Sequence, residues 1–185
     1  MTALYRLHAA IFAPLERAEW FLPTLARFLF AAVLAGYFWV SGMTKLGEGV
    51  AGIFQPSLGA YAQIFPRAME AVGYDVDALS FYHTAVVTLG LWAEFILPAL
   101  IILGLLTRLS ALGMIGFIIV QSLTDLIGHD KWGDPLVFGA WFDAASGSLI
   151  MDQRSLWIFL LLVLVVKGAG PISFDWALRP RDPAL

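Results

Sequence analysis

Four long stretches of the chain contain almost no charged residues. They cover residues 28–44, 81–107, 109–127 and 155–174, and each holds at most one Asp, Glu, Lys or Arg. At a rise of 1.5 Å per residue, even the shortest stretch spans about 25 Å as a helix, which is close to the thickness of a hydrocarbon core. The pattern therefore predicts four membrane-spanning helices, with the second and third forming an antiparallel hairpin across a short joint at Thr107-Arg108.

The segment before the first stretch has the pattern of an amphipathic helix. Its apolar residues recur at helical spacing, which predicts a helix lying in the membrane interface and interrupted at Pro14: Leu4, Leu7, Ile11 and Leu15. A cleavable signal peptide is the alternative, and it fits poorly because the apolar run after Arg6 is short.

Two long connections, residues 46–80 and 128–154, separate the predicted helices. Both are rich in aromatic residues and are expected at the level of the lipid headgroups. The middle of the second is apolar enough to dip into the membrane as a re-entrant segment. We therefore expect an all-α membrane protein with an N-terminal segment 1–20, a four-helix transmembrane domain 21–178 and a polar tail 179–185.

The composition supports this class and excludes several others. Of the 185 residues, 60% are hydrophobic and only 14% are charged, whereas soluble domains carry about 25% charged residues. The net charge of −3 and the absence of a basic stripe argue against a nucleic-acid partner. The absence of cysteine excludes thiolate nucleophiles, cysteine-ligated iron–sulfur clusters and covalent c-type haem.

The distribution of Lys and Arg predicts the orientation of the chain, because cytoplasmic loops carry the excess of these residues. Four spans place both termini on one side. That side holds seven basic residues and the other holds four: Arg6, Arg17, Arg27, Arg108, Lys167, Arg179 and Arg181 against Lys45, Arg67, Lys131 and Arg154. Both termini are therefore predicted to be cytoplasmic, and the two long loops are predicted to face outward.

Glu94 lies near the middle of the second predicted helix. A charge at that depth costs roughly 2.5–3.5 kcal/mol, so it needs a partner or a purpose. Gly90 and His83 lie on the same helix face. Two interpretations stay open: Glu94 is a proton acceptor or polar ligand in a cavity, or it is a structural carboxylate paired with a neighbouring helix.

Further polar residues gather at the outward ends of the predicted helices. Lys45, one turn after Ser41, either snorkels outward or counters Glu94 or Asp125. Asp125 lies on one helical line with Gln121 and His129. The predicted orientation brings four polar groups to one level, with Glu94 deeper: Lys45, His83, Asp125 and His129. At the opposite end, Arg27 is expected to snorkel towards the cytoplasm.

His83 and His129 carry the cofactor hypotheses. Two histidines on neighbouring helices can ligate b-type haem or a metal, or can donate a hydrogen bond to a quinone carbonyl. The alternative is that both are hydrated residues at the membrane interface. Metal-ligand spacing of the HExxH kind is absent from the sequence.

Four short motifs occur in a fixed order along the chain. They are SGMTKL at 41–46, WAEF at 92–95, LGLLTRLSAL at 103–112 and KGAGPISFD at 167–175. Together they resemble the DoxX family of small bacterial membrane proteins, over about residues 27–178. The positions that match the family pattern are Ser41, Gly42, Lys45, Glu94, Arg108, Gly168, Gly170 and Asp175. His83, His129 and the long aromatic loops depart from it.

The resemblance implies a four-helix bundle in the bacterial inner membrane. The family is named for a subunit associated with a terminal quinol oxidase and with thiosulfate:quinone oxidoreduction, and other members resemble accessory proteins of redox-stress or metal-related operons. The first hypothesis is therefore a redox accessory protein with an outward-facing polar pocket for quinone or b-type haem. In this hypothesis Glu94 relays protons and Lys45 binds an anionic group. The cofactor is bound by His83, His129, Asp125 and Ser41.

The expected partners are the lipid bilayer and either a membrane or periplasmic protein or a second copy of the chain. A second hypothesis is a non-catalytic membrane component for assembly or transport, linked to metal handling or stress, in which the embedded charges are structural.

Overall fold

Four long helices dominate the computed structural model, which describes residues 2–179. They are α2 (Phe21–Lys45), α5 (Phe81–Leu103), α6 (Thr107–Gly128) and α7 (Leu149–Lys167), and each is long and apolar enough to cross a membrane. The four predicted spans are thus confirmed as helices, and no strand occurs within residues 2–179. The shorter helices are α1 (Thr2–Arg17), α3 (Leu58–Ile64), α4 (Pro66–Ala71) and α8 (Phe174–Ala177).

The long helices form a closed bundle in which α2 and α6 each pack against both α5 and α7. The core contains large apolar side chains that are fully buried, such as Phe30, Phe38, Met114 and Leu161. Outward-facing positions are also apolar, so the outer surface of the bundle matches a lipid environment rather than water.

The predicted limits of the fourth helix, 155–174, are wrong at both ends. α7 begins earlier because backbone carbonyls of the preceding loop accept hydrogen bonds from its first free N–H groups, at 2.9–3.1 Å. These bonds join Leu149, Ile150 and Met151 to Leu136, Val137 and Phe138. The helix ends at Lys167 because Gly168 takes a φ of +80°. Arg154, assigned to a loop from the sequence, therefore lies inside the helix.

Three stretches of π-helix occur within the membrane-spanning helices. They are Phe30–Ala35 in α2, Thr124–Gly128 at the end of α6 and Leu149–Arg154 at the start of α7. Such wider turns are rare and are often found at functional sites. Two of the three carry a charged residue of the candidate site.

The first long connection folds over one end of the bundle. Its helices α3 and α4 bury Ala60, Tyr61 and Met69 against Val87 of α5. The second connection, between α6 and α7, is non-helical. The headgroup and re-entrant placements of the two connections stay predictions.

The N-terminal helix α1 is continuous through Pro14, so the predicted interruption there is wrong. Proline lacks an N–H and so leaves the carbonyl four residues earlier without its helical donor, but the helix still continues to Arg17. None of its residues is buried, and its location in the membrane interface stays a prediction. Of the predicted tail 179–185, the structure describes Arg179; the rest of that tail, like Met1, lies outside the described residues.

Candidate functional site

Lys45 and Glu94 form a buried ion pair between the end of α2 and the middle of α5. Lys45 Nζ lies 3.0 Å from Glu94 Oε1 and 3.1 Å from Oε2. The two side chains are 6% and 2% exposed. This confirms the interpretation in which Lys45 counters Glu94, and it explains how two charges persist at membrane depth.

Ser41 completes the hydrogen bonding of this pair. Its Oγ donates to Glu94 Oε1 at 2.9 Å, and Lys45 Nζ donates to Ser41 Oγ at 2.7 Å and to the Ser41 carbonyl at 3.2 Å. The ammonium thus has acceptors for all three of its protons. A buried ion pair is tolerated only when its remaining hydrogen-bonding groups are satisfied in this way.

Gly42 allows the two helices to approach at the ion pair. A Cβ at this position would lie 2.9 Å from Phe95 Cζ and 3.3 Å from Glu94 Cβ. Small residues have this role at many helix contacts in membranes. The SGMTKL motif therefore supplies a hydroxyl, a close contact and a cation on one end of α2.

A second ion pair joins Asp125 of α6 to Arg154 of α7. Arg154 Nη1 lies 2.7 Å from Asp125 Oδ2 and donates a hydrogen bond to Ser122 Oγ at 3.0 Å. The Arg154 side chain is 2% exposed and that of Asp125 is 27% exposed. Oδ2 is at ion-pair distance but accepts no hydrogen bond, because the geometry is not aligned for one.

Sequence reasoning missed Arg154 as a site residue. It placed the start of the fourth helix one residue after Arg154 and therefore treated the side chain as part of a hydrated loop. The available signal was the apolar run Leu149–Met151, which precedes Arg154 and extends the helix towards the N-terminus.

A cavity of about 350 Å³ lies between α5 and α6. Its polar lining comes from both ion pairs, from α6 and from α3: Lys45, Glu94, Gln121, Thr124, Asp125 and Gln63. Leu89 and Val120 also line it and are 61% and 54% exposed. Because these wall residues face outward from the bundle, the cavity lies next to the lipid-facing surface.

Glycines and the α3 helix shape the other walls of the cavity. Gly90, Gly113 and Gly116 lie along the facing sides of α5 and α6, and Ile64 of α3 reaches the cavity from outside the bundle. A Cβ at Gly116 would meet nothing within 4 Å. The space next to Gly116 is therefore open.

The structure brings together four of the six predicted site residues. Lys45, Glu94 and Asp125 line the cavity, and Ser41 binds Glu94. The two histidines lie elsewhere. His83 Nδ1 is 2.9 Å from Ser80 Oγ with its ring against Phe65, and His129 Nε2 is 2.8 Å from the Gln63 carbonyl.

The histidines thus contact the connection that holds α3 and α4, while the cavity is lined by other residues. Within residues 2–179, no group of three or more His, Asp or Glu is placed to hold a metal ion.

At the opposite end of the bundle, Arg27 and Asp175 satisfy the free ends of α5 and α6. The Arg27 guanidinium donates to the carbonyls of Ile101, Ile102, Ala169 and Ile172. Asp175 accepts hydrogen bonds from the backbone N–H of Leu106 at 2.7 Å and of Thr107 at 2.9 Å. The prediction that Arg27 snorkels towards the cytoplasm stays a prediction, and the structure adds that its donors are bound to helix-end carbonyls.

The family motifs at this end have a structural explanation. Gly104 has a φ of +68°, and a Cβ there would lie 2.8 Å from Arg27 Cζ. Gly170 has a φ of +76° and returns the chain past α2, so that Asp175 reaches the start of α6. These residues fix the hairpin and the end of α7 rather than the cavity.

Fold and site together define the class of protein. Four apolar helices around one buried and one partly buried ion pair fit a multi-pass membrane protein. The sequence profile of the DoxX family matches residues 23–124, more than half of the chain. The protein therefore belongs to the DoxX family, which confirms the resemblance. Neither a curated protein nor a solved structure matches the chain.

Proposed function

We propose that this DoxX protein is a redox accessory protein of the bacterial inner membrane that binds a quinone-type ring in the cavity between α5 and α6. The cavity itself is the observation that supports the proposal most directly. It lies beside the lipid-facing surface, has mainly apolar walls and includes a small polar set. Small-molecule sites are typically apolar, with a few polar groups that fix orientation.

The size and lining of the cavity favour a quinone over a haem. Its volume of about 350 Å³ is near the lower end of ligand pockets, roughly 300–1,000 Å³, and suits one or two rings. A b-type haem would need an axial histidine, and neither His83 nor His129 is among the residues that line the cavity. His83 Nδ1 lies against Ser80 Oγ, and His129 Nε2 lies against the Gln63 carbonyl. A quinone reaches its site laterally from the bilayer, which suits the exposed walls at Leu89 and Val120.

The ion pair gives the site its chemistry in this proposal. Glu94 lines the cavity and is bound to Lys45 and Ser41, so a proton leaving or entering a bound ring has a short path to the carboxylate. Lys45 offsets the charge of an anionic ring. His83 and His129 hold the α3–α4 connection against the bundle rather than ligating the ring.

In this proposal the protein acts beside a larger membrane or periplasmic partner, or together with a second copy of itself. Both termini lie in the cytoplasm. Four short helices leave most of their outer apolar surface available for such association. The cavity then faces the outer half of the bilayer.

A space-filling variant tests whether the cavity binds the ring. The protein is reconstituted into nanodiscs and titrated with a short-tailed benzoquinone in its oxidised and its reduced form. Gly116→Leu fills open space in the cavity, and we expect it to raise the Kd by about tenfold or more. The matched control is Gly36→Leu, which also adds a side chain in open space on a membrane-spanning helix, away from the cavity.

We expect Gly36→Leu to bind like the unaltered protein. Equal binding by the two variants, or no binding of either redox form by the unaltered protein, would contradict the proposal.

The full satisfaction of the Lys45–Glu94–Ser41 cluster favours a second candidate function, a non-catalytic component for assembly or transport. In that case Glu94→Gln lowers the stability of the bundle but leaves association with the partner unchanged at low temperature. Co-purification of the intact protein from its native membrane, followed by elemental analysis, identifies a bound partner or metal.

A further inference from the structure

A second, basic cavity of about 270 Å³ lies at the end of the bundle that bears the chain termini. It is enclosed by the start of α6, the turn after α7 and the residues around α8. Two arginines, Arg108 and Arg179, line it, and both are exposed. Lys167 ends α7 just before the lining residue Gly168 and is a further exposed cation. Positive charge is thus concentrated around this cavity.

The Arg108 guanidinium lies against the end of α7. A Cβ at Gly168 would be 3.4 Å from Arg108 Nε and 3.7 Å from Nη2, so the side chain packs against this turn. The ion pairs found within residues 2–179 use other cations: Lys45, Arg67, Lys131 and Arg154. The guanidinium is therefore held in place but is not committed to a carboxylate of the described chain.

Asp175 supplies a carboxylate to the same lining. Its two oxygens already accept the backbone N–H groups of Leu106 and Thr107, so the start of α6 is capped from within the chain. Arg27 and Arg179 lie close enough to offset its negative charge. An incoming anion would therefore bind the arginine side chains of the cavity and not the helix terminus.

The basic cavity also borders the lipid-facing surface. Leu106 and Leu109 line it and are 56% and 66% exposed. Because α5 ends at Leu103 and α6 begins at Thr107, the cavity lies where the membrane-spanning helices end, which is the level of the lipid headgroups. Basic pockets between helices at this level bind anionic headgroups.

We infer that the basic cavity is a binding site for the phosphate of an anionic phospholipid, with Arg108 and Arg179 as the residues that bind it. A guanidinium presents N–H donors in a planar fork that matches two phosphate oxygens. The acyl chains run along the exposed leucines of the lining. A zwitterionic lipid binds less tightly, because its own cation is placed among the basic residues. The site is separate from the α5–α6 cavity, so the inference does not rest on the proposed function.

Native mass spectrometry of the intact protein, titrated with lipid in detergent, measures this selectivity. The two lipids are dioleoyl-phosphatidylglycerol and dioleoyl-phosphatidylcholine, which share their acyl chains and differ in net charge. We expect phosphatidylglycerol to bind the unaltered protein about fivefold more tightly. Arg108→Gln and Arg179→Gln should each bring the ratio of the two Kd values towards one. Arg67→Gln is the control, since it removes an exposed arginine at the other end of the bundle, and it should leave the ratio unchanged.

Equal binding of the two lipids by the unaltered protein would overturn the inference, as would a preference that both cavity variants keep. A loss in Arg67→Gln as large as in the cavity variants would also overturn it, because attraction to any basic residue would then explain the binding. Arg179→Gln keeps the test decisive if Arg108→Gln does not fold, because Arg179 is exposed and follows α8.

Inorganic phosphate distinguishes a lipid headgroup from a free anion. It is added at constant ionic strength to the complex with phosphatidylglycerol. We expect the lipid to stay bound, because its acyl chains contribute contacts that phosphate lacks. Displacement of the lipid by millimolar phosphate would assign the cavity to a soluble phosphate and overturn the lipid as its ligand.

Discussion

At the scale of single residues, the Lys45–Glu94 pair decides how charge is held inside the bundle. Lys45→Met leaves the Glu94 carboxylate, whose side chain is 2% exposed, without its cation. We expect the free energy of unfolding to fall by about 3–5 kcal/mol, because a buried charge without a partner is far costlier than the pair itself. Unfolding of the reconstituted protein with increasing denaturing detergent measures the change.

The double variant Lys45→Met/Glu94→Leu should recover much of that loss, because it removes both charges together. The Arg67–Asp130 pair is the control: its atoms are 4.0 Å apart and its side chains are 65% and 82% exposed. Arg67→Met should change stability by less than about 1 kcal/mol. If the effects of Lys45→Met and Glu94→Leu were simply additive, the pair would not act as one unit.

The search for charged residues within uncharged stretches identified three of the four residues in these ion pairs. It identified both partners of one pair but only one partner of the other. Glu94 and Lys45 stand out because each interrupts or ends an uncharged stretch, and the structure pairs them. Asp125 stands out for the same reason, but its partner Arg154 does not, since a charge at the edge of a stretch resembles a loop residue. Which neighbour a charge meets depends on helix packing, which the pattern along one helix does not contain.

At the scale of the helices, Asp175 stabilises the start of α6 from 68 residues away along the chain. It is the N-cap in function, although it is remote in sequence. We expect Asp175→Ala to lower the free energy of unfolding by about 1 kcal/mol, the usual effect of losing a cap. Asp77→Ala is the control, since Asp77 is exposed and lies in a short turn. Equal losses in the two variants would show that the cap contributes nothing specific.

The same carboxylate makes stability depend on pH. Burial favours the neutral form of Asp175, but hydrogen bonds from Thr107 and from the Leu106 backbone outweigh it and lower the pKa. A folded-state pKa below the unfolded value of about 3.9 stabilises the protein above that value. The contribution is then lost as the pH falls from about 4 through the folded-state pKa.

We therefore expect the difference in unfolding free energy between the unaltered protein and Asp175→Asn to be constant from pH 5 to 7 and to shrink below about pH 4. Detergent-induced unfolding at a series of pH values measures it. A difference that grew on acidification would contradict the assigned direction of the pKa.

The existence of the helices could be predicted, but only some of their ends could: the start of α5 at Phe81 was predicted correctly, and both ends of α7 were not. The length of a stretch without charged residues can be read from one segment alone, and it identified α2, α5, α6 and α7. Their ends depend on distant groups: carbonyls of the 136–138 loop start α7, and Arg27 binds the last carbonyls of α5. The cavity is likewise a property of two packed helices, and only its polar residues were visible in the sequence.

At the scale of the whole molecule, the packing of the charges sharpens the predicted orientation. Arg27, Lys45 and Arg154 are engaged inside the bundle and no longer count as loop residues. Within residues 2–179, the other basic residues divide between the two predicted faces as five against two: Arg6, Arg17, Arg108, Lys167 and Arg179 against Arg67 and Lys131. The excess on the face of the termini is then three basic residues, compared with two when all basic residues of the same range are counted, six against four.

The absence of cysteine from the chain allows a clean test of that orientation. Thr2→Cys places one thiol on α1, and Ala145→Cys places one in the exposed loop before α7. In spheroplasts, a membrane-impermeant maleimide should label Ala145→Cys at once and Thr2→Cys only after permeabilisation. The reverse pattern would place the termini outside. It would also turn the ion-pair end of the bundle, and with it the α5–α6 cavity, towards the cytoplasmic half of the bilayer.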